Sequence, residues 1–142
     1  MFTGWKERLA QKRAKNKFYA ESQHWKNNPR LRECLQAMRG SCTVAPVEMH
    51  EAAIAAVNIA LRENTWTRLE ELSDIPGNFF PDTVFIVWDD ERLPVLKAPW
   101  HSTDKCLPEI RAVACQSFMV SETLDSILWF DSSGGIKLYS IA

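Results

Sequence analysis

Four cysteines and three histidines are the residues here with the most chemistry to offer. Cys42 stands eight residues before His50, and His101 five before Cys106. Structural zinc takes four ligands in close pairs. These pairs are wider than usual and neither is doubled, so no metal site is expected. A thiol beside a histidine can act as a nucleophile, but the two must meet in space, which spacing alone does not show. A small Cys/His enzyme therefore stays open as a second alternative, against a reading of Cys115 as core filling. Gly-x-Ser-x-Gly is absent. Ser133-Gly134-Gly135 lies between two strand-like runs rather than between a strand and a helix, unlike a phosphate-binding loop. No catalytic residue, cofactor or small-molecule substrate is predicted.

Charge offers a second kind of chemistry. Asp89-Asp90-Glu91 puts three acids in a row, which point in different directions on any regular element. At a hairpin tip they form a solvated turn that discourages edge pairing, or a negative recognition patch. Asp82, Asp104 and Asp131 fall in other predicted loops. The opposite sign gathers at the front: Met1 to Cys42 holds ten Lys/Arg and three Glu, while the rest holds seven Lys/Arg and fifteen Asp/Glu. Such asymmetry can mark an interaction arm. Lys12, Arg13, Lys15 and Lys17 could meet phosphates, but at 100° per residue they spread around a helix axis. Nucleic acid is thus an alternative partner, and a solvated helix face is the plainer reading.

Trp5 to Lys26 reads as a helix of good formers with a sparse apolar stripe. Asn27-Asn28-Pro29 breaks it and starts a second, with Leu31, Leu35 and Met38 on one face and Gly40 as its cap. Pro46 opens a third, striped by Val47, Ile54, Val57 and Leu61, rich in Ala, and ended by Asn64. Thr65 to Leu72 is read as a short helix and Pro76-Gly77-Asn78 as a turn. Thr83 to Trp88 is a strand buried on both faces. Leu93 to Lys97 returns as a second strand, with Pro94 confining it to an edge or cutting its bonding short. Pro99 to Pro108 reads as a loop and Pro108 to Phe118 as a helix, with a strand over Ala112 to Val120 as the alternative. Ser126 to Phe130 and Ile136 to Ile141 form a hairpin around Asp131 to Gly135. The expectation is one α+β domain over residues 1–142, mainly helical to 75 and strand-rich from 76. Its helices would pack on an antiparallel sheet of about four strands made of two hairpins.

The chain is 142 residues long, 46% apolar and of formal net charge −1. That suits one globular domain with a core and gives no field strong enough to name a partner. The start lacks the apolar stretch of a secretory signal, and no run approaches the ~18 apolar residues of a membrane span. A cytoplasmic protein with reduced thiols and no membrane partner is expected.

Val-Phe-Ile-Val-Trp-Asp-Asp-Glu-Arg-Leu-Pro-Val-Leu-Lys-Ala-Pro-Trp, Val84 to Trp100, and Leu-Asp-Ser-Ile-Leu-Trp-Phe-Asp-Ser-Ser-Gly-Gly-Ile-Lys-Leu-Tyr-Ser-Ile, Leu124 to Ile141, resemble immunity proteins of bacterial polymorphic-toxin and contact-dependent growth inhibition systems. The resemblance spans less than half the chain and carries over no residue role. It implies a binding protein that neutralises a cognate protein toxin. An inhibitor of a nuclease would set an acidic surface against a basic active site. On that expectation Asp82, Asp89, Asp90, Glu91, Trp100, Asp104 and Asp131 are the candidate contacts.

Overall fold

The structure is a computed structural model that describes residues 28–90 and 92–141. The expected helix over Trp5 to Lys26, with Lys12, Arg13, Lys15 and Lys17, lies outside the described residues, and so does Glu91.

The described chain runs α1 (Pro29–Ala37), β1 (Thr43–Val44), α2 (Val47–Glu63), β2 (Thr67–Leu69), a single 3-10 turn (Leu72–Asp74), β3 (Thr83–Trp88), β4 (Leu96–Pro99), α3 (Trp100–Lys105), α4 (Leu107–Arg111), β5 (Ser117–Ser121), β6 (Ser126–Phe130) and β7 (Ile136–Ser140). All the strands join one antiparallel sheet in the order β1-β4-β3-β5-β6-β7-β2. The α+β class and the antiparallel sheet match expectation. The strand number does not, since seven strands replace about four.

Both faces of the sheet are covered, which explains the unbroken apolar runs of its central strands. On β3, Val84, Ile86 and Trp88 point to one core and Phe85 and Val87 to the other. The first core takes Leu31 and Cys34 of α1 and Met38 just past its end, with Leu107 and Ile110 of α4. Trp88 fastens α4 to the sheet by donating from Nε1 to the Ile110 carbonyl at 2.9 Å. The second core takes Ala53, Ile54, Val57, Ala60 and Leu61 of α2. There Trp129 donates from Nε1 to Gln116 Oε1 at 2.8 Å. These two indoles thus have their partners, as burial favours, whereas Trp66 Nε1 is buried with no hydrogen-bond partner among the described residues.

Helix boundaries follow local chemistry. Asn28 caps α1 by accepting from Leu31 N at 3.0 Å, ahead of Pro29 in the first turn. Pro46 directly precedes α2, and Asn64 closes it in the left-handed conformation at φ 54°. The turn after α1 has two left-handed residues, Arg39 and Gly40. The expected glycine is there, but it follows another residue in the same conformation.

Three expectations need correction. Thr65 to Leu72 is not a helix: Thr67–Leu69 pairs with β7 as an edge strand and only Leu72–Asp74 turns helically. The β-branched Thr65-Trp66-Thr67 start wins over the helical spacing of Trp66, Leu69 and Leu72. The supposed loop from Pro99 contains α3, started by Pro99 and tied by Thr103 Oγ1 donating to the Pro99 carbonyl at 2.9 Å. Pro108 to Phe118 is not one helix, because it divides into α4 and the start of β5. The Pro94 expectation holds in its second form: the strand begins only at Leu96, so its ladder is cut short after Pro94, and it is not an edge, because β1 covers it.

After β2 the chain crosses to β3 with Ile75, Phe79 and Phe80 against the first core. The strand ends define two ends of the molecule. Trp88, Ser117, Phe130 and Ile136 align at one; Thr83, Pro99, Ser121 and Ser126 mark the other. Five-residue strands at ~3.3 Å per residue put them about 17 Å apart.

Candidate partner-binding surface

The predicted contact residues do not share one surface. Asp89, Asp90 and Asp131 follow the strand ends at the Trp88 end, whereas Asp82, Trp100 and Asp104 lie at the Thr83 end.

At the Trp88 end the acids are tied to their own chain. Asp89 Oδ1 accepts from Gln116 N at 3.0 Å. Asp90 accepts from the Arg92 backbone N at 2.9 Å and holds its guanidinium in a two-pronged pair at 3.1 and 2.9 Å. Asp131 organises the β6–β7 turn, accepting from Ser133 N at 3.0 Å, Ser133 Oγ at 2.8 Å and Gly135 N at 2.7 Å, with Lys137 Nζ at 3.3 Å. Partial burial pushes its carboxyl up, but the bonds from Ser133, Gly135 and Lys137 outweigh that and hold it below the ordinary carboxylate value. Gly135 is needed here, because a Cβ would lie 2.5 Å from Asp131 Oδ2. Cations are also close: Arg111 stacks over the Phe130 ring at 4.5 Å, and Arg30 donates to the Ala112 carbonyl at 3.0 Å. This end has both signs of charge, most of it spent on loop geometry.

At the Thr83 end the picture differs. The Asp82 carbonyl accepts from Trp100 N at 2.8 Å, which brings the start of β3 against the start of α3. Trp100 and Asp104 are four residues apart on α3 and so share a face. The half-buried Trp100 ring meets Phe80 edge-on at 4.9 Å, and Phe80 in turn meets Phe79 at 4.7 Å. Asp82 and Asp104 are both exposed. Among the described residues, no hydrogen bond or ion pair engages either carboxylate. An aromatic side chain braced from below, with free acids beside it, is the usual build of a binding anchor and its polar rim. Phe80, the brace, was not singled out from sequence; its place beside Phe79 after a Pro-Gly turn was the available signal.

The thiols form a different arrangement. Cys34 is buried, Cys42 is half-buried beyond the end of α1, and Cys106 joins α3 to α4, whereas Cys115, expected as core filling, is exposed because it falls in the turn between α4 and β5. Burial pushes the Cys34 thiol up to about 12, helped by the charges of Cys42, Cys106 and Glu109. Burial raises Cys42 and Cys106 as well. These three remain protonated at neutral pH and are weak nucleophiles. The Cys106 thiol is directed at the Ala37 carbonyl, 3.4 Å away. It borders an open cleft of about 540 Å³ with Arg39, Ser41, Ser102, Lys105 and Glu109. Among the described residues no group of three His, Cys, Asp or Glu is placed to hold a metal ion. Likewise no helix among them is long and apolar enough to cross a membrane.

No protein-family model matches this chain, and no curated protein is similar to it.

Proposed function

We propose that the chain is a binding protein that neutralises a cognate toxin domain by contact, with no catalysis of its own, through Asp82, Trp100 and Asp104. The observation that carries this reading is the braced Trp100 beside two exposed, unengaged carboxylates. Such a surface suits a basic partner: the acids set approach and register, and the aromatic anchor supplies desolvated contact area. A nuclease domain, whose substrate cleft is basic, fits that description. The resemblance of Val84 to Trp100 and Leu124 to Ile141 to immunity proteins supports the same reading, as do Cys34, Cys42 and Cys106, which burial keeps protonated.

The test is to sequence the neighbouring reading frames for a toxin domain and to measure its affinity for the full chain. Reversing both acids, Asp82→Lys with Asp104→Lys, is expected to weaken binding at least tenfold, about 1.4 kcal/mol. Trp100→Ala should cost more, with circular dichroism confirming a folded chain. Unchanged affinity in the folded double variant overturns the assignment.

A further inference from the structure

Helix α2 is apolar on the side away from the sheet as well as on the side against it. A helix on a domain surface normally turns charged residues outward. Here Ala52, Ala55, Ala56 and Ile59 instead line a groove of about 290 Å³. Leu124 of the β5–β6 turn, Ile127, Tyr139 and Ile141 form its other wall. Ile59 is 41% exposed and Ile141 60%, so both present side-chain surface to the outside. The reason for a gap is geometric. Seven strands at ~4.8 Å spacing make a sheet roughly 29 Å wide, and one helix about 10 Å across cannot cover it. Among the described residues, α2 is the helix on this face.

Charge narrows the occupant. At 100° per residue, Glu48, Ala52, Ala55, Ala56, Ile59 and Glu63 fall within about a 100° arc of α2, so the apolar stretch ends in an acid on both sides. Glu63 Oε2 accepts from Tyr139 OH, in the far wall, at 3.0 Å. Asp125 follows Leu124, and its carbonyl accepts from Ile141 N at 2.9 Å. Hydrogen bonds from Thr123 and Ser121 hold the Asp125 carboxyl below its ordinary value, so it is charged at neutral pH. Glu51 and Arg62 flank the arc about 16 Å apart along the axis and add one charge of each sign. No lysine or arginine lines the groove. A second copy meeting this face would oppose like charges across the contact. A cationic helix would pair with Glu48 and with the second carboxylate oxygens of Glu63 and Asp125, which accept no bond among the described residues, and the alanines leave room for its axis at the usual 8–10 Å from that of α2.

We propose that this groove docks a cationic amphipathic helix of a partner protein, its apolar side chains seated between α2 and the β5–β6 turn. The surface is separate from Asp82, Trp100 and Asp104, and the proposal stands whether or not that reading holds.

The test uses the full chain and three synthetic 18-residue probes: an amphipathic Lys/Leu helix, its scrambled sequence, and a Glu/Leu helix of the same pattern. The Lys/Leu helix is expected to bind with amide shift changes centred on Ala52, Ala55, Ile59, Leu124 and Ile141. Ile59→Lys and Ala55→Arg should each weaken it at least tenfold, and Ile141→Asp should remove part of the apolar wall without disturbing a helix. Equal binding of the scrambled or acidic probe overturns the proposal. So does binding indifferent to all three variants. Self-association abolished by Ile59→Lys would name a second copy as occupant instead. Contacts between residues 1–27 and the Ile59 and Ile141 methyl groups in the free chain would show the groove filled in cis. Either result also overturns it.

Discussion

The two ends of the sheet both carry predicted acids, three described at one and two at the other, and use them differently. At the Trp88 end Asp89, Asp90 and Asp131 accept bonds from backbone amides and from Arg92 and Lys137. At the Thr83 end Asp82 and Asp104 stand exposed beside a tryptophan. An acidic loop in a sequence is therefore not one kind of object. A carboxylate already satisfied by its own chain must break those bonds before it can serve a partner, whereas an unengaged one gives up only water. The first shapes a turn; the second is free for recognition.

This contrast can be tested by removing its supports in turn. The largest effect is expected from Trp88→Ala, which empties a fully buried site and drops the bond to the Ile110 carbonyl. A loss of about 4 kcal/mol, read from urea unfolding, would show that the Trp88 end is built for stability. Asp131→Ala should cost about 2 kcal/mol, because the Ser133 and Gly135 amides lose their acceptor together. A loss near zero would erase the distinction between the ends. Next is acid sensitivity. Asp131 and Asp125 have carboxyls lower in the fold than in the unfolded chain. Their stabilisation is present above the unfolded value of about 3.9 and is lost as pH falls through the folded value. Asp131→Asn should therefore flatten the fall in stability below about pH 4, measured by thermal unfolding across pH 2 to 6. The smallest effect belongs to the other end: Asp82→Ala and Asp104→Ala should each change stability by less than about 0.5 kcal/mol, although on the proposed function the two together should weaken partner binding. A large destabilisation from either would mean that these acids, too, are structural.

Much of the sheet was legible where a strand announces itself locally. Thr83 to Trp88 is dense in β-branched and aromatic residues, and Ile136 to Ser140 alternates after two glycines. β1 and β2 were not legible in this way. They are two and three residues long, and pairing with Lys97-Leu96 and with Ile136 to Leu138 makes them strands. No local pattern encodes a partner so distant in sequence. α3 was hidden for a related reason: Trp-His-Ser-Thr-Asp-Lys has no apolar stripe, and its helix rests on Pro99 and the Thr103 bond. At the candidate surface, residue types were readable but their grouping was not. Asp82 and Trp100 meet through a backbone bond between elements eighteen residues apart, while Asp89, equally acidic, is turned to Gln116.

The edge pairing of β2 with β7 sets a timetable for synthesis. Leu69 is partnered by Ile136, and a ribosome adding 5–20 residues per second needs roughly 3–13 s to make the 67 residues of chain separating them. During that interval α2 has already been made, with apolar residues on both its sides, and the strands of its face of the sheet are still arriving. The nascent chain thus passes through a stage in which its longest described helix is complete and its floor is not. Chaperone engagement, if it occurs, belongs to that window, and its footprint should end when Ile136 to Leu138 emerge.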